Sequence, residues 1–391
     1  MRIEYVETES KLCTIRAHYS VGSAIEYRSK VWNDGLAHLV EHMIYRQNEY
    51  LHDKLGLIGA SWNGGTYYND VMFIATVPVE NVYELLHIFK KLLLDNKFTQ
   101  EKLDKERLVI LEEENLTRYD LSRNIALERN RFMCNGYITK RISGSSESIN
   151  KITLKEVQSF YDKYFTLDNL LLVVSGPSFY FNIEELFGKK NDLFVEQEIP
   201  SNIFKDKVKQ TKYFSQLQSN ARIFVTYSCE PSWSRQNIIL NLISGFFSSG
   251  IDTRLFKELR NEKGLVYSAN SGISLLSDIG WYNFIAVTQK QNIKAVLETI
   301  NTEIIKLKTD DITDKEITKA KNKELGYLYS LTETSYGLNS LLTSQIINGT
   351  PDIKGLEDLI KTITKNEIVK TIEDIFVEDN QRIFIASPKD K

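Results

Sequence analysis

The stretch Thr153-Leu-Lys-Glu156-Val157 recurs as Thr364-Lys-Asn-Glu367-Ile368, and the residues downstream keep the same offset of 211: Phe165 with Phe376, then Asp168-Asn169 with Asp379-Asn380. An apolar strand comes next in both copies. The same shift carries the alternating segment 12–21 onto the strand at 223–227 and, to within one residue, the apolar arm 71–77 onto 281–287. It also carries the helical stripe of Val82, Leu85, Phe89, Leu92 and Leu93 onto the helix bearing Ile293, Val296, Leu297, Ile300 and Ile304. A repeat of this length predicts two copies of one α+β domain, each a mainly antiparallel sheet with helices packed on one side. The chain of 391 residues is long enough to bury two cores. The expected domains are 1–195 and 211–391, and the Lys-, Asp-, Asn- and Gln-rich stretch 188–210 reads as the linker.

The two copies differ in one chemical respect: no histidine occurs after His87. The first copy carries Gly35-Leu-Ala-His38-Leu-Val-Glu41-His42-Met43, with histidines four apart and a glutamate between them. On a 3.6-residue period these three side chains share one helix face, where two neutral imidazoles can hold one Zn²⁺ beside a carboxylate. A catalytic zinc needs a third protein ligand and leaves a position for water. The acidic helix over 101–119 is the candidate source, through Glu106-Arg-Leu-Val-Ile-Leu-Glu112-Glu113-Glu114. Glu106 and Glu113 lie two turns apart on one face, but periodicity alone does not choose between Glu112 and Glu113. The remaining histidines read as non-ligands: strand alternation puts His18 on the solvent face, and His87 falls off the apolar stripe of its helix.

Composition narrows the classes further. A net charge of -3 without a basic block gives no reason to expect nucleic acid or an anionic membrane as partner. The amino terminus is acidic where a signal peptide needs an apolar core, and the apolar runs fall short of the roughly 18 residues that span a bilayer. Cys13, Cys134 and Cys229 have no paired spacing, which fits a reducing cytoplasm. Cys13 alternates onto the inner face of its strand as a small buried hydrophobe.

H-x-x-E-H followed about seventy residues later by E-R-x-V-I-L-x-E resembles the pitrilysin, insulin-degrading enzyme and mitochondrial processing peptidase family, the inverted zincins. The match covers both halves in order, and the length is near that of the short bacterial members. The resemblance implies a zinc metalloendopeptidase with one Zn²⁺ per chain, held by His38, His42 and Glu113. Glu41 would be the general base acting on peptides or leader sequences, and Glu106 would orient a ligand. The family's substrate-pairing strand, N-A-x-T, appears as Asn63-Gly64-Gly65-Thr66. Its R-L-F-x-x-L-R-x-x-x-G-L-x-Y segment appears as Arg254 to Tyr267, which implies that Arg260 and Tyr267 engage substrate. By residue pattern alone that segment is a surface helix ending at Gly264 and running into a strand. One departure stands out: the family's Lys-Gly-Thr after the first helix is replaced by Tyr45-Arg46-Gln47-Asn48. Transferring the four-domain chamber of double-length members to a short chain implies a dimer in which Arg260 and Tyr267 of one subunit complete the zinc site of the other. A homodimer is expected because one chain carries both motifs, and a heterodimer with a sister chain is the alternative. The same fold also serves as noncatalytic scaffold subunits, and some catalytic members act only beside a different partner chain.

Overall fold

The computed structural model describes every residue except 28, 30, 47, 48, 179–182, 189–200, 202, 206–209, 217, 218, 310, 311, 390 and 391. Most of the expected linker, 188–210, therefore lies outside the described residues. The first half runs β1 (Arg2–Glu7), β2 (Leu12–Tyr19), α1 (Leu36–Arg46), α2 (Glu49–Leu57), β3 (Ser61–Thr66), β4 (Val71–Pro78) and α3 (Val82–Leu94). It continues through α4 (Gln100–Tyr119), α5 (Leu121–Met133), β5 (Cys134–Asn135), α6 (Ser146–Lys151), α7 (Leu154–Tyr164), β6 (Leu170–Gly176) and α8 (Ile183–Phe187). After β7 (Ile203–Phe204) the pattern restarts with β8 (Gln210–Gln216), β9 (Asn220–Cys229), α9 (Arg235–Phe247), α10 (Arg254–Phe256), β10 (Val266–Leu275), β11 (Gly280–Gln289) and α11 (Ile293–Thr309). It ends with α12 (Asp314–Thr332), α13 (Ser335–Asn348), α14 (Ile353–Thr362), α15 (Lys365–Ile375) and β12 (Gln381–Pro388).

The repeat is visible in strand order. One sheet runs β1-β6-β2-β4-β3 and the other β8-β12-β9-β11-β10. In each, the outermost pair, β1 with β6 and β8 with β12, is parallel and the remaining pairs are antiparallel. The fold is thus α+β, built twice. Caps repeat as well: Thr153 and Thr364 each receive a backbone N–H from the glutamate three residues on, and Glu156 and Glu367 reach back to the threonine N–H at 2.8 Å. The same two glutamates then tie down the entry to the helix that follows the second strand of their own copy, α1 and α9. Glu156 accepts from Asn33 Nδ2 at 2.7 Å, and Glu367 from Arg235 Nε at 2.7 Å.

The chain divides into two compact units, which follow the two halves except for two short segments. Unit 1 comprises Met1–Leu127, Gly136–Ser201 and Leu331–Thr343, and unit 2 comprises Glu128–Asn135, Asn202–Ser330 and Ser344–Lys391. In unit 1 the inner faces of β2, β4 and β6 bury Ile15, Ala17, Phe73, Leu172 and Val174 against Leu36, Val40, Phe89 and Phe160 of the helices. Cys13 lies fully buried in that layer. In unit 2 Tyr227, Phe247, Tyr282 and Phe284 play the same part, and the Tyr282 hydroxyl is satisfied by Ser244 at 2.9 Å.

The structure corrects the reading of His18. It is buried, 5% exposed, with Nδ1 at 3.6 Å from Asp70 Oδ2. Alternation correctly puts Thr14, Arg16 and His18 on the outer face of β2, but that face is covered. Leu331–Thr343 belongs to this unit, and Arg16 donates from Nε to Asn339 Oδ1 at 3.1 Å and from Nη2 to Ser340 Oγ at 2.9 Å. A segment more than 300 residues away in sequence leaves no local signal of that burial.

Candidate metal centre

The metal-type cluster stands on α1, and the start of that helix is fixed from outside it. Gly35 adopts a positive φ of 95°, and a Cβ there would stand 2.6 Å from the Ser143 carbonyl oxygen, so glycine is required at this turn. The buried Glu26 carboxylate then accepts from Gly35 N at 2.7 Å and Ala37 N at 2.6 Å, satisfying N–H groups that the helix cannot satisfy itself. Burial pushes Glu26 up to about 8, against the lowering effect of those backbone donors.

Leu36, Leu39, Val40 and Met43 bury one side of α1 and leave His38, Glu41 and His42 together on another. One ligand atom from each of these three lies within 4.8 Å of the other two. The imidazole centroids are 4.6 Å apart. α4 crosses α1 and brings two carboxylates to His42 from opposite ends of the ring. Glu106 Oε2 faces Nδ1 at 3.5 Å, and Glu113 Oε2 faces Nε2 at 3.5 Å. Glu112 is exposed, and Glu114 is buried accepting from Ser146 Oγ at 2.8 Å. Of the three consecutive glutamates, Glu113 is the one at the histidines.

The electrostatics sort these groups. Burial, with the neighbouring His42 adding to it, drives His38 down to about 3, so this imidazole is neutral as a metal ligand must be. Burial would also lower His42, but the Glu106 contact and the charges of Glu41 and Glu113 outweigh it and raise this group. Burial pushes Glu41 up to about 7, partly opposed by His42 and reinforced by Glu113. A carboxyl poised there exchanges protons near neutral pH.

The donor set fits zinc. Of the polar atoms buried without a hydrogen-bond partner among the described residues, His42 Nδ1 and Glu106 Oε2 face each other at 3.5 Å, and His38 Nδ1 is left over. Zinc–ligand bonds of roughly 2.0–2.1 Å in a tetrahedron put adjacent ligand atoms about 3.3 Å apart. The 3.5 Å between His42 Nε2 and Glu113 Oε2 matches that edge. Glu106 Oε2 lies at the other ring nitrogen, 3.5 Å from Nδ1.

β3 is the edge strand beside this cluster, paired to β4 on one side only. Asn63 lies on it opposite Ile74, with its Oδ1 accepting from Gly64 N at 3.0 Å. Gly64 is next to the carboxylate: a Cβ there would stand 2.6 Å from Glu41 Oε1 and 3.2 Å from Phe73 Cδ1. The space left by the glycine that replaces the family's alanine is therefore filled by Glu41. Trp62, two residues earlier, stacks on Tyr45 at 3.8 Å with His52 edge-on at 4.8 Å. Tyr45 and Arg46 mark the departure from the family's Lys-Gly-Thr, and Arg46 Nε lies 3.7 Å from Glu106 Oε2.

In unit 2, Arg254 opens a short α turn that continues as a π-helix over Lys257–Glu262, a form common at functional sites. Gly264, at φ 59°, ends it. Arg260 donates to the Val266 carbonyl at 2.6 Å and lies 5.6 Å above the Tyr267 ring. Tyr267 is 75% exposed on β10, the edge strand of its sheet and the counterpart of β3.

The first copy of the duplicated α+β domain presents H-x-x-E-H on a helix. The chain belongs to peptidase family M16: the profile described as "Insulinase (Peptidase family M16)" matches residues 2–132, and that described as "Peptidase M16 inactive domain" matches residues 151–324. An uncharacterized zinc protease of Rickettsia felis is 26% identical over 322 residues, 78% of this chain and 74% of its own length. In fold, a protease from Helicobacter pylori superposes with a TM-score of 0.84 at 20% identity, covering 99% of this chain and 96% of that one. A structure described as a peptidase M16 inactive domain from Pseudomonas fluorescens gives 0.85 at 16% identity, covering 99% and 95%.

Proposed function

We propose that the chain is a zinc-dependent endopeptidase that hydrolyses peptides or leader sequences with Glu41 as general base, and with His38, His42 and Glu113 as ligands of one Zn²⁺. The observation that carries this reading is the convergence of α1 and α4 on His42, with Glu113 Oε2 at 3.5 Å from one ring nitrogen and Glu106 Oε2 at 3.5 Å from the other. Bound there, zinc would supply Lewis-acid polarisation of the scissile carbonyl and acidify the attacking water. Glu41 takes the proton from that water and hands it to the leaving amine; its burial and its position beside both histidines suit it to both transfers. Extended substrate adds to the free edge of β3 by main-chain pairing, where Asn63 offers a side-chain amide.

Arg260 and Tyr267 serve substrate from the second copy, in a dimer whose sites are completed across subunits. The support is the family segment that carries them together with the exposure of Tyr267 on an edge strand. The proposed assembly is a homodimer and the proposed compartment the cytoplasm; no helix among the described residues is long and apolar enough to cross a membrane. The test is to incubate the purified chain with a mixed peptide library and map cleavage by mass spectrometry, with chelator and zinc add-back as controls. Internal cleavage that chelation abolishes and zinc restores is expected. Stoichiometric zinc without cleavage of any peptide would overturn the peptidase reading.

A further inference from the structure

The two glycines of β3, the edge strand of unit 1, face opposite sides of the sheet. The Cβ position of Gly64 points to Glu41 Oε1 at 2.6 Å. That of Gly65 points the other way, to the Tyr67 ring, 3.4 Å from Cε2 and 3.5 Å from the hydroxyl. The ring therefore lies across the bare backbone of Gly65, while Tyr67 stays 47% exposed. Its main chain is held on both sides: N donates to the Asp70 carbonyl at 2.8 Å, and its own carbonyl accepts from Ser23 N at 3.0 Å.

The groups around this ring all belong to unit 1. Met72, opposite Gly65 in the ladder, accepts from Arg16 Nη1 at its sulfur at 3.5 Å. Arg16 Cζ lies 6.0 Å from the ring centroid of Tyr336, which is itself half-exposed. Arg16 and Tyr336 are near enough for their charges to act on the Tyr67 hydroxyl. The hydrogen-bond partners of Arg16, namely Asn339, Ser340 and Met72, are neutral, and Asp70 lies with His18 at 3.6 Å.

Side chains of a strand added to β3 alternate as those of β3 do. The residue beside Gly64 turns toward Glu41, and the next one, beside Gly65, turns toward Tyr67. We infer that Tyr67 is a specificity-determining residue whose ring is the platform for the substrate side chain beside Gly65, selecting an aromatic or large apolar group there. The inference rests on the peptidase reading and adds a substrate feature to it. An aromatic side chain gains an offset or edge-on contact with the ring beyond the area it buries. Cations also bind aromatic faces, but Arg16 already stands beside this one with neutral hydrogen-bond partners, and like-charge repulsion disfavours lysine or arginine.

The test uses the full-length zinc-loaded chain and internally quenched peptides built on a sequence whose cleavage site has been mapped. The residues flanking the scissile bond are replaced one at a time by phenylalanine, alanine or lysine. At one position the wild type should favour phenylalanine over alanine by about tenfold in kcat/KM, and over lysine by at least as much. Tyr67→Ala should bring the phenylalanine-to-alanine ratio to within about threefold of unity, and Tyr67→Phe, which keeps the ring, should restore it. Elemental analysis and thermal melting establish that each variant holds its zinc and its fold. Cleavage by the wild type with no such preference at any flanking position, or a preference that folded Tyr67→Ala retains, would overturn the inference and leave the peptidase reading standing. Absence of cleavage by zinc-loaded wild type would overturn both.

Discussion

Replacing Glu106 by glutamine should weaken zinc binding tenfold to a hundredfold while leaving the fold intact. The carboxylate is 4% exposed, its Oε2 has no hydrogen-bond partner among the described residues, and it faces His42 Nδ1 at 3.5 Å. Two unit charges at that separation interact by about 5 kcal/mol at an effective dielectric constant near 20, an upper bound because a ligating imidazole carries only a partial charge on its N–H. Glutamine keeps the shape and can accept the same hydrogen bond through its amide oxygen. What is lost is the charge that makes His42 a better donor, and carboxylates in this position typically account for about 1.4–2.8 kcal/mol of metal affinity. The assay is competition against chelators of graded affinity, read by elemental analysis at constant pH. A second readout separates this role from mere packing. In metal-free protein Glu106 helps raise the pKa of His42, so Glu106→Gln should lower it in an NMR titration. Zinc affinity within threefold of wild type, with His42 titrating unchanged, would refute the reasoning.

The same geometry sets three other expected outcomes. Glu113→Ala should lose most of its zinc and Glu112→Ala should keep it, because only the former side chain faces His42 Nε2; the reverse result by elemental analysis would reassign the ligand. Mixing His42→Ala chains with Tyr267→Phe chains, each inactive alone, should restore part of the activity after subunit exchange, and no recovery despite verified exchange would remove the shared site. Arg254, joined to Glu316 at 2.5 Å, holds the Glu316 carboxyl down to about 2. A depressed carboxylate contributes stability that is present above its unfolded pKa near 4.5 and is lost as pH falls toward 2. The Tm difference between wild type and Glu316→Gln should therefore be largest near neutrality and shrink below about pH 4; a difference independent of pH would show that the pair contributes nothing through charge.

Much of this molecule could be read from local pattern. The Thr-x-x-Glu caps and the apolar stripes recur at one offset, and each copy builds the same five strands in the same order. His38, Glu41 and His42 were legible because helical spacing alone puts them on one face, and the structure keeps them within 4.8 Å. Periodicity did not choose between Glu112 and Glu113, which lie on the same turn; the family resemblance favoured Glu113, and the crossing of α4 over α1 brings that residue to His42. Three other features depend on residues distant in sequence. Glu26 caps α1 from nine residues before Gly35 and looks like any acidic loop residue. The stack of Tyr45, Trp62 and His52 beside the cluster forms only when α1, α2 and β3 meet. His18 is buried on the face of β2 where Thr14 and Arg16 bond Ser335, Asn339 and Ser340, which strand alternation cannot register.

The central claim is that Glu41 performs chemistry at a zinc held by its neighbours, and one paired measurement on Glu41→Gln tests it most directly: zinc content together with peptide hydrolysis. The amide is nearly isosteric with the carboxylate yet cannot accept the water's proton, so zinc should remain stoichiometric while kcat falls by about 10²-fold or more, the scale of a general acid–base group. Full zinc with activity within a few-fold of wild type would contradict the account.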